Sequence, residues 1–418
     1  MAQPNETTVE IGLRALRGMA EVPRDRWNVL IGASRSSATE AEPYNPFLNH
    51  DFLASLEEAG CVASRTGWTP QHLVAETGDG HLVGAMPAYV KAHSQGEYIF
   101  DHGWADAFER AGGDYYPKLL SAIPFTPATG PRLLVGPDAE PDEARAVLAR
   151  GLSLVTDRLD LSSAHVNFVR EGDAEALGDA GYLLRTDRQF HWHNDGYGSY
   201  DDFLGTLASR KRKALRKERR EALSGNGVTI EWLTGGDLSE EAWDAFFQFY
   251  MDTGARKWGR PYLNRKFFSL LGERMGEDVL LVMAKRDGRW IAGALNLIGG
   301  DTLYGRHWGC IEHHPSLHFE VCYHQAIDFA IEKSLKVVEA GAQGEHKLAR
   351  GYSPVITKSC HYIPNPSFRR AVADYLEHER REIALYAEVL GEHGPFRRGE
   401  RTDAGAYAIR HREVEEQE

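Results

Sequence analysis

The sequence predicts an α/β fold of the mixed α+β kind, in which one order of elements occurs twice. The chain has 418 residues, which is more than a single hydrophobic core usually supports, so two domains are expected. Stretches with helical periodicity alternate with short runs of alternating or continuous apolar residues, which are typical of strands. Helix, hairpin-linked strands, helix and strand follow one another before residue 190 and again after it.

The first domain is predicted over residues 45–190, after a loosely held lead-in at residues 1–44. Asn49 or Asp51 is a candidate N-cap for its first helix, and Gly60 would end that helix. The elements that follow are predicted in this order: a hairpin turning at residues 78–80, a strand leading into a helix at 97–112, a strand at 131–136, a long amphipathic helix at 142–161, a strand at 164–169 and a short helix at 172–185.

The second domain is predicted over residues 191–392, and it includes a C-terminal helix. Residues 393–418 form a charged tail that we expect to be frayed. The elements of this domain are predicted in this order: a long helix at 199–223, a strand at 228–234, helices at 239–257 and 264–275, three strands within 279–311, a helix at 316–335, a strand at 336–342 and the C-terminal helix at 366–390.

Composition narrows the class of protein. Hydrophobic residues make up 42% and charged residues 26%, which is ordinary for a globular protein. We expect no transmembrane helix, since no run of about 18 apolar residues occurs, and we expect no secretory signal. The four cysteines form no CxxC pair, so a reducing cytoplasm is expected. The motifs GxxxxGK[ST], GxGxxG after a strand and GxSxG are missing, which weighs against phosphoryl transfer, dinucleotide redox chemistry and serine hydrolysis.

The densest charge pattern lies in the helix predicted at 199–223. Eight of the eleven residues from Arg210 to Arg220 are Lys or Arg, although the net charge of the chain is −13. Like charges on one helix repel each other, and a bound anion would relieve that repulsion. A solvated helix face and a site for a phosphate-bearing substrate both stay open. The candidate binding residues here are Arg210, Lys211, Arg212, Lys213 and Arg216.

Two further stretches combine charge with aromatic rings. Arginine beside tryptophan suits a planar or anionic ligand, although cations also stabilise a helix C-terminus. In the stretch from residue 249 to 268 the candidates are Asp252, Arg256, Lys257 and Trp258. In the strand from residue 301 to 310, alternation places Tyr304, Arg306 and Trp308 on one face and His307 on the other. His307 is a candidate base or donor, with a structural role as the alternative. No metal site is predicted, because His313, His314 and His318 lack further ligands at fixed spacing.

The stretch EAGAQGEHKLARGY follows the strand predicted at 336–342. If Val338 lies in a central strand, Glu339 sits at its carboxyl end, where open α/β sheets bind ligands. Glu345 and His346 are candidate acceptors of a proton from an amine, and Lys347 and Arg350 are candidates to hold an anion. An ion-paired loop is the alternative.

These stretches, together with DHGWADAFERAGGDYYPKLLSAIPFTPATGPRLL and YGRHWGCIEHHPSLHFE, resemble the FemAB-like group of N-acyltransferases in the GNAT superfamily. The resemblance runs from about residue 45 to about residue 390. It implies tandem GNAT-like domains of the acyl-CoA N-acyltransferase type. It also implies acyl transfer to an amine, as in the Fem transferases that add amino acids to peptidoglycan precursors from aminoacyl-tRNA.

The donor and the acceptor stay open. GNAT enzymes that use acetyl-CoA carry a (Q/R)xxGx(G/A) loop before the helix that follows the central strands, whereas residues 313–320 here read HHPSLHFE. Acyl-CoA and aminoacyl-tRNA are therefore both candidate co-substrates, and no permanently bound cofactor is expected. The acceptor would be a small-molecule or precursor amine, with tRNA as a candidate partner and the oligomeric state open. The catalytic candidates are Glu339, Glu345, His346 and His307, with Tyr304 as a proton donor. The alternative is a non-catalytic GNAT-fold module that binds RNA or a phosphate-bearing precursor.

Overall fold

The computed structural model describes residues 10–32, 43–224, 227–257, 261–341, 344–392 and 394–397, without the side chains of 255–257, 345, 391 and 392. Its strands are β1 (Ile11–Leu16), β2 (Trp68–Pro70), β3 (His72–Thr77), β4 (Leu82–Met86), β5 (Tyr89–Lys91), β6 (Lys118–Ser121), β7 (Leu134–Val135), β8 (Ala164–Val169), β9 (Leu183–His193), β10 (Val228–Leu233), β11 (Val279–Arg286), β12 (Arg289–Ile298), β13 (Thr302–Cys310), β14 (Val337–Glu339) and β15 (Ser353–Tyr362).

The α-helices lie on both faces of the sheets. They are α1 (Arg24–Val29), α2 (His50–Glu58), α3 (His102–Arg110), α4 (Pro141–Arg158), α5 (Glu171–Asp179), α6 (Tyr200–Thr206), α7 (Ser209–Leu223), α8 (Glu240–Lys257), α9 (Arg265–Met275), α10 (Leu317–Phe319), α11 (Gln325–Glu332) and α12 (Pro366–Glu392). A π-helical turn, Glu320–His324, joins α10 to α11, so that region is one interrupted helix. A 3₁₀ helix, Glu345–Arg350, precedes β15.

Eleven strands form one central sheet in the order β10-β11-β12-β13-β14-β9-β15-β8-β6-β5-β2. The order is nearly symmetric about its centre. On one side, β13 and β14 run parallel with α11 between them in the chain, and on the other side β6 and β8 run parallel with α4 between them. The repeated order of elements in the sequence therefore corresponds to a repeated strand arrangement.

The two halves exchange their last strands. Strand β9 closes the first half but pairs with β14 of the second, and β15 closes the second half but pairs with β8 of the first. Strands β9 and β15 also pair with each other over nine residues, from Ser353 opposite His191 to His361 opposite Leu183. Because these ladders cross between the halves, the central sheet is continuous.

The structure corrects the expectation of a loosely held lead-in. Strand β1 pairs with β3 and belongs to a second sheet of four strands, ordered β1-β3-β4-β7. Met19 and Trp27 are fully buried, and Trp27 donates its indole N–H to the Leu48 carbonyl at 2.8 Å. Residues 11–31 are therefore part of the packed molecule.

Two predicted elements differ from the observed ones. The helix expected at 199–223 is broken into α6 and α7, because Leu207 forms a β-bridge with Phe396 and the Ala208 N–H bonds to the Pro395 carbonyl. The strand expected before α3 is absent from residues 97–100, which are described as bends and irregular chain. Pro395 and Phe396 therefore interrupt, between α6 and α7, a helical pattern that is continuous in the sequence.

The second half of the sheet has a different core on each face. Tyr304, Leu295 and Leu297 face α2, α8 and α9, while Leu303, Ala294 and Val338 face α6, α7 and α11. Helix α8 packs so closely on β13 that a Cβ on Gly309 would lie 2.1 Å from the Phe249 carbonyl oxygen. We call these the α2 face and the α7 face.

Candidate functional site

Strands β13 and β14 separate in the middle of the central sheet. Their parallel ladder has three rungs, and the last one joins Tyr304 to Glu339. Strand β14 ends there, whereas β13 continues to Cys310. A Cβ on Gly305 would approach the Glu339 carbonyl to 3.4 Å, so the two backbones are still close at that level. The pairing ends at this rung, and we call this end of the ladder the opening.

A β-bulge decides which side chains of β13 reach the α2 face. Gly305 lies opposite Asn296 and His307 lies opposite Leu295, so Arg306 is the extra residue. An extra residue shifts the alternation of the side chains after it. His307 therefore shares the α2 face with Tyr304, while Trp308 lies opposite Ala294 on the α7 face. The predicted alternation, with His307 opposed to Tyr304 and Trp308 beside it, was wrong for this reason.

Glu339 carries the side chain that is best suited to transfer a proton. Its side chain is buried, and burial raises the pKa of its carboxyl to about 8, although Arg306, Arg170 and Arg132 oppose the rise. The backbone of Thr129 also opposes the rise. His191 Nε2 lies 3.9 Å from Glu339 Oε1. A carboxyl poised near neutral pH at a strand opening is suited to take or give a proton.

Arg306 and His307 line the site beside Glu339. Arg306 donates to the Phe125 carbonyl, and its guanidinium lies over the rings of Phe47 and Tyr98. Burial lowers the pKa of His307 to about 3, with a further contribution from the charge of Arg306. His307 is therefore a neutral imidazole at neutral pH, although part of its side chain is exposed.

A small cavity of about 20 Å³ opens on these two side chains. Its other walls are apolar and come from α2, α9, β12 and the chain after β6, including Phe52, Phe267 and Leu295. A volume of this size holds about one water molecule. The space next to His307 is therefore suited to a group no larger than a methyl.

The loop of residues 122–133 covers the site from the first half. Arg132 is fully buried, and its guanidinium donates to the carbonyls of Ala128, Gly130 and Pro131. Gln189 Nε2 donates to the Pro127 carbonyl at 2.7 Å. This loop was not predicted to be part of the site, although its residues lie within the stretch SAIPFTPATGPRLL that carries the resemblance. A buried arginine that bonds to its own loop has no local sequence pattern.

The remaining residues of the glycine-rich stretch lie elsewhere. His346 is exposed; its Nε2 bonds with the Tyr323 hydroxyl at 2.9 Å, and its ring contacts the partly buried Phe319 at the edge of the α7-face core. The structure thus does not bring His346 together with His307. The side chain of Glu345 lies outside the described residues. Lys347 is buried, which lowers the pKa of its ammonium to about 7, and its Nζ donates to the Gly341 carbonyl at 2.7 Å.

The guanidinium of Arg350 is already paired with a carboxylate of the protein, so its donors are not available to a substrate anion. Its guanidinium makes two hydrogen bonds to Glu218, at 2.9 and 2.6 Å, and lies 3.4 Å from the centre of the Phe319 ring. Glu218 also accepts from His324 at 2.8 Å. The expectation that Arg350 holds a substrate anion is corrected, because its donors already anchor the 3₁₀ helix to α7.

The basic helix has an anchored side and an exposed side. Leu215, Glu218 and Arg219 face the protein, where Arg219 pairs with Glu320 and Asp328. Arg216 is exposed and pairs with Asp201 at 2.8 Å. The other predicted binding residues of α7 are mostly exposed: Arg210, Lys211 and Lys213, with Arg212 half-buried. A local cationic surface therefore exists on this acidic chain.

The second charged stretch is described only in part. Asp252 is exposed on α8. The side chains of Arg256 and Lys257, and all of Trp258, lie outside the described residues. Among the residues that are described, no group of three metal-ligating side chains occurs. Within that same part of the chain, no helix has both the length and the apolar character that crossing a membrane requires.

Comparisons with known proteins agree with this architecture. Residues 18–398 match the family model FemAB_like, described as peptidoglycan biosynthesis/recognition. Among solved structures, FemX superposes with a TM-score of 0.52 at 12% identity, covering 84% of this chain and 98% of FemX.

Two further structures give lower scores. L-PGS from Bacillus licheniformis has a TM-score of 0.47 at 12% identity, over 81% of this chain and 95% of its own. A tandem GNAT protein from the clavulanic acid biosynthesis pathway has a TM-score of 0.44 at 13% identity, over 85% and 99%. A search of curated protein sequences finds no match. The expected fold class, a mixed α/β fold, is confirmed.

Proposed function

This chain belongs to the FemAB-like family, and from that premise we propose that it transfers an acyl or aminoacyl group from an activated donor to an amine. The observation that carries the proposal is the position of Glu339. Its carboxyl has a raised pKa and lies at the end of the ladder between β13 and β14. An opening between parallel strands beside a proton-accepting group is suited to aminolysis of an acyl donor.

The transfer needs a base, a stabiliser for the carbonyl oxygen and a proton donor, and the site offers a candidate for each. The amine nitrogen forms a bond to the donor carbonyl carbon, and its proton passes to the Glu339 carboxylate. The carbonyl oxygen becomes negative, and the backbone N–H groups at the Arg306 bulge are the candidate donors that would stabilise it. The electron pair of that oxygen then re-forms the C=O bond, and the bond from the carbonyl carbon to the oxygen or sulfur of the leaving group breaks. The leaving group takes a proton, for which the hydroxyl of Tyr304 is the candidate donor.

Glu339 suits the base role better than the two predicted histidines. Burial lowers the pKa of His307 to about 3, so its imidazole binds a proton only weakly at neutral pH. His346 lies on the α7 face, bonded to Tyr323. A base is most effective when its pKa lies near the working pH, and the value of about 8 for Glu339 meets that condition.

We further propose that the donor carries phosphate groups. The exposed cations of α7 favour such a donor. Acyl-CoA and aminoacyl-tRNA both meet that description. The family description supports an amine of a peptidoglycan precursor as the acceptor.

Mass spectrometry of reaction mixtures tests the proposal. The protein is incubated with a precursor peptide that carries a free amine, together with acetyl-CoA or alanyl-tRNA in separate reactions. A mass increase of one acyl or alanyl group in one mixture supports the proposal. If no adduct forms with either donor, while tRNA binds with a strong salt dependence, the non-catalytic binding module is the better account.

A further inference from the structure

Glu339 lies beside a histidine that the other half of the molecule supplies. Strand β9 pairs with β14, and the last rung of that ladder joins His191 to Glu339. Paired residues of neighbouring strands project from the same face of a sheet, so both side chains lie on the α2 face. His191 Nε2 is 3.9 Å from Glu339 Oε1, which is longer than a hydrogen bond. A small movement of either side chain would bring these two atoms into hydrogen-bond distance.

Gln189 and the Pro127 carbonyl decide which nitrogen of His191 carries the ring proton. Gln189 lies two residues before His191 on β9 and therefore on the same face. Its Nε2 donates to the Pro127 carbonyl at 2.7 Å, and a carbonyl can only accept, so the orientation of this amide is fixed. The amide oxygen, Oε1, then lies 3.2 Å from His191 Nε2. Because that oxygen also only accepts, Nε2 is the nitrogen that carries the proton.

The His191 ring is neutral in the folded chain. Its side chain is buried, and burial lowers the pKa of the imidazole to about 3, with further contributions from the charges of His193 and Lys347. At neutral pH the ring therefore has one proton, on Nε2, and a lone pair on Nδ1. A neutral ring with one fixed N–H group presents the positive end of a dipole to the carboxyl of Glu339.

The other groups that face the Glu339 carboxyl come from three parts of the chain. From β13 come Tyr304 and Arg306, from the loop of residues 122–133 come Arg132 and the backbone of Thr129, and directly before α5 lies Arg170. Two of these arginines are already bonded to carbonyl groups of the loop itself. The loop is therefore linked to Glu339 in two ways: directly through Thr129, and through Pro127, Gln189 and His191.

We propose that His191 is a positioning residue for Glu339: its Nε2–H, held in place by Gln189, stabilises the ionised carboxylate at the opening. A hydrogen-bond donor favours the charged form of a carboxyl, so the imidazole acts against the effect of burial. The part of His191 in acyl transfer rests on the proposed function, whereas its effect on the protonation of Glu339 does not.

The pH dependence of unfolding measures this effect without the transfer reaction. The free energy of unfolding of the full chain is compared with that of Glu339→Gln, and the difference should level off near pH 8, where Glu339 has titrated in the folded state. In a His191→Met background, which lacks the donor, the difference should level off about one pH unit higher. The matched control is His191→Gln, whose amide can place an N–H near the position of Nε2 and should restore the wild-type titration.

Two results would overturn the proposal. One is a titration of Glu339 that is the same in the wild type and in His191→Met. The other is an equal displacement in His191→Met and His191→Gln, because it would come from altered packing and not from the lost donor. If the displacement occurs but the wild type transfers no acyl group, the proposed function fails and the positioning role of His191 stands.

The nitrogen NMR spectrum of the wild-type chain with isotope-labelled histidine keeps the proposal testable if His191→Met does not fold. The signals of His191, assigned by their absence from His191→Gln, should show a protonated Nε2 and an unprotonated Nδ1 from pH 5 to pH 9, as a pKa of about 3 requires. A neutral ring with its proton on Nδ1, or a ring that becomes charged between pH 6 and pH 7, would overturn the proposal.

Discussion

Tyr304 and Glu339 face each other in the last rung of the ladder between β13 and β14. Both side chains therefore emerge on the α2 face at the point where the strands separate. Burial raises the pKa of both the Tyr304 hydroxyl and the Glu339 carboxyl. The opening thus holds a hydroxyl that stays protonated beside a carboxyl that titrates near neutral pH, which is the pairing that an acid–base step requires.

The burial of Glu339 should make stability depend on pH. Its pKa is raised from 4.5 to about 8, so between these values the carboxyl is ionised in the unfolded chain and protonated in the folded one. The free energy of unfolding should therefore fall by about 1.4 kcal/mol per pH unit over that interval. Glu339→Gln removes this slope. In urea unfolding at pH 5, 6.5 and 8, the free energy of unfolding of the variant should increase relative to that of the wild type as pH rises.

The exposed residue Glu241 supplies the control for that measurement. The Glu241→Gln variant should follow the wild-type pH dependence. If the free energy of unfolding of Glu339→Gln has the same pH dependence as that of the wild type, the carboxyl of Glu339 is ionised in the folded state at neutral pH. The assigned pKa would then be wrong.

Two glycines of β13 should differ sharply in their tolerance of alanine. A Cβ on Gly309 would lie 2.1 Å from the Phe249 carbonyl, whereas a Cβ on Gly305 would lie 3.4 Å from its nearest neighbours. Because α8 must move to make room for a Cβ at position 309, Gly309→Ala should lower the free energy of unfolding by about 3 kcal/mol. Gly305→Ala should cost less than about 1 kcal/mol. Chemical denaturation measures both, and equal costs would show that α8 does not pack on β13 as described.

The ion pair of Glu218 and Arg350 should behave as a coupled unit. Both are largely buried, so Glu218→Gln leaves the guanidinium of Arg350 without its anion at a cost of about 3 kcal/mol. Arg350→Met in the same background should recover part of that loss, because it removes the unpaired charge. A double-mutant cycle by urea unfolding checks this. Strictly additive effects would mean that the pair does not anchor the 3₁₀ helix.

The exposed cations of α7 should govern any binding of RNA. Glutamine at Arg210, Lys211 and Lys213 should leave the melting temperature nearly unchanged, since these side chains are exposed. If each contacts a phosphate, the slope of log affinity against log salt should fall by about 2 to 3. The control variant carries glutamine at the exposed residues Arg110, Arg150 and Arg158. Equal slopes for both variants, measured by filter binding to tRNA, would argue against α7 as the surface that binds phosphates.

The sequence was informative where local pattern fixes the structure. The short apolar run before Glu339 predicted β14, and the structure places Glu339 at its end. The glycine-containing turns at residues 286–289 and 299–301 predicted the meander of β11, β12 and β13, which is observed. The repeated order of elements predicted a repeated strand arrangement, and β6 and β8 run parallel in one half as β13 and β14 do in the other.

Long-range geometry set the limits of that prediction. The face reached by His307 depends on a bulge at Arg306, and no residue type there demands a bulge. Arg350 is paired with Glu218, which lies 132 residues away in the chain. The exchange of β9 and β15 between the halves likewise depends on which edges meet in the folded molecule. The predicted domain limits and catalytic roles stay predictions.

The rate of acyl transfer by Glu339→Gln, measured beside the wild type and Glu241→Gln across pH 6–9, tests the central claim most directly. Glutamine fills the same space but accepts no proton, so the initial rate should fall by a factor of about 10² to 10⁴. The wild-type kcat should rise towards a plateau above pH 8, as a base with a pKa of about 8 requires. A Glu339→Gln variant that transfers the acyl group at the wild-type rate, with the same pH profile, would contradict the role of Glu339 as the base.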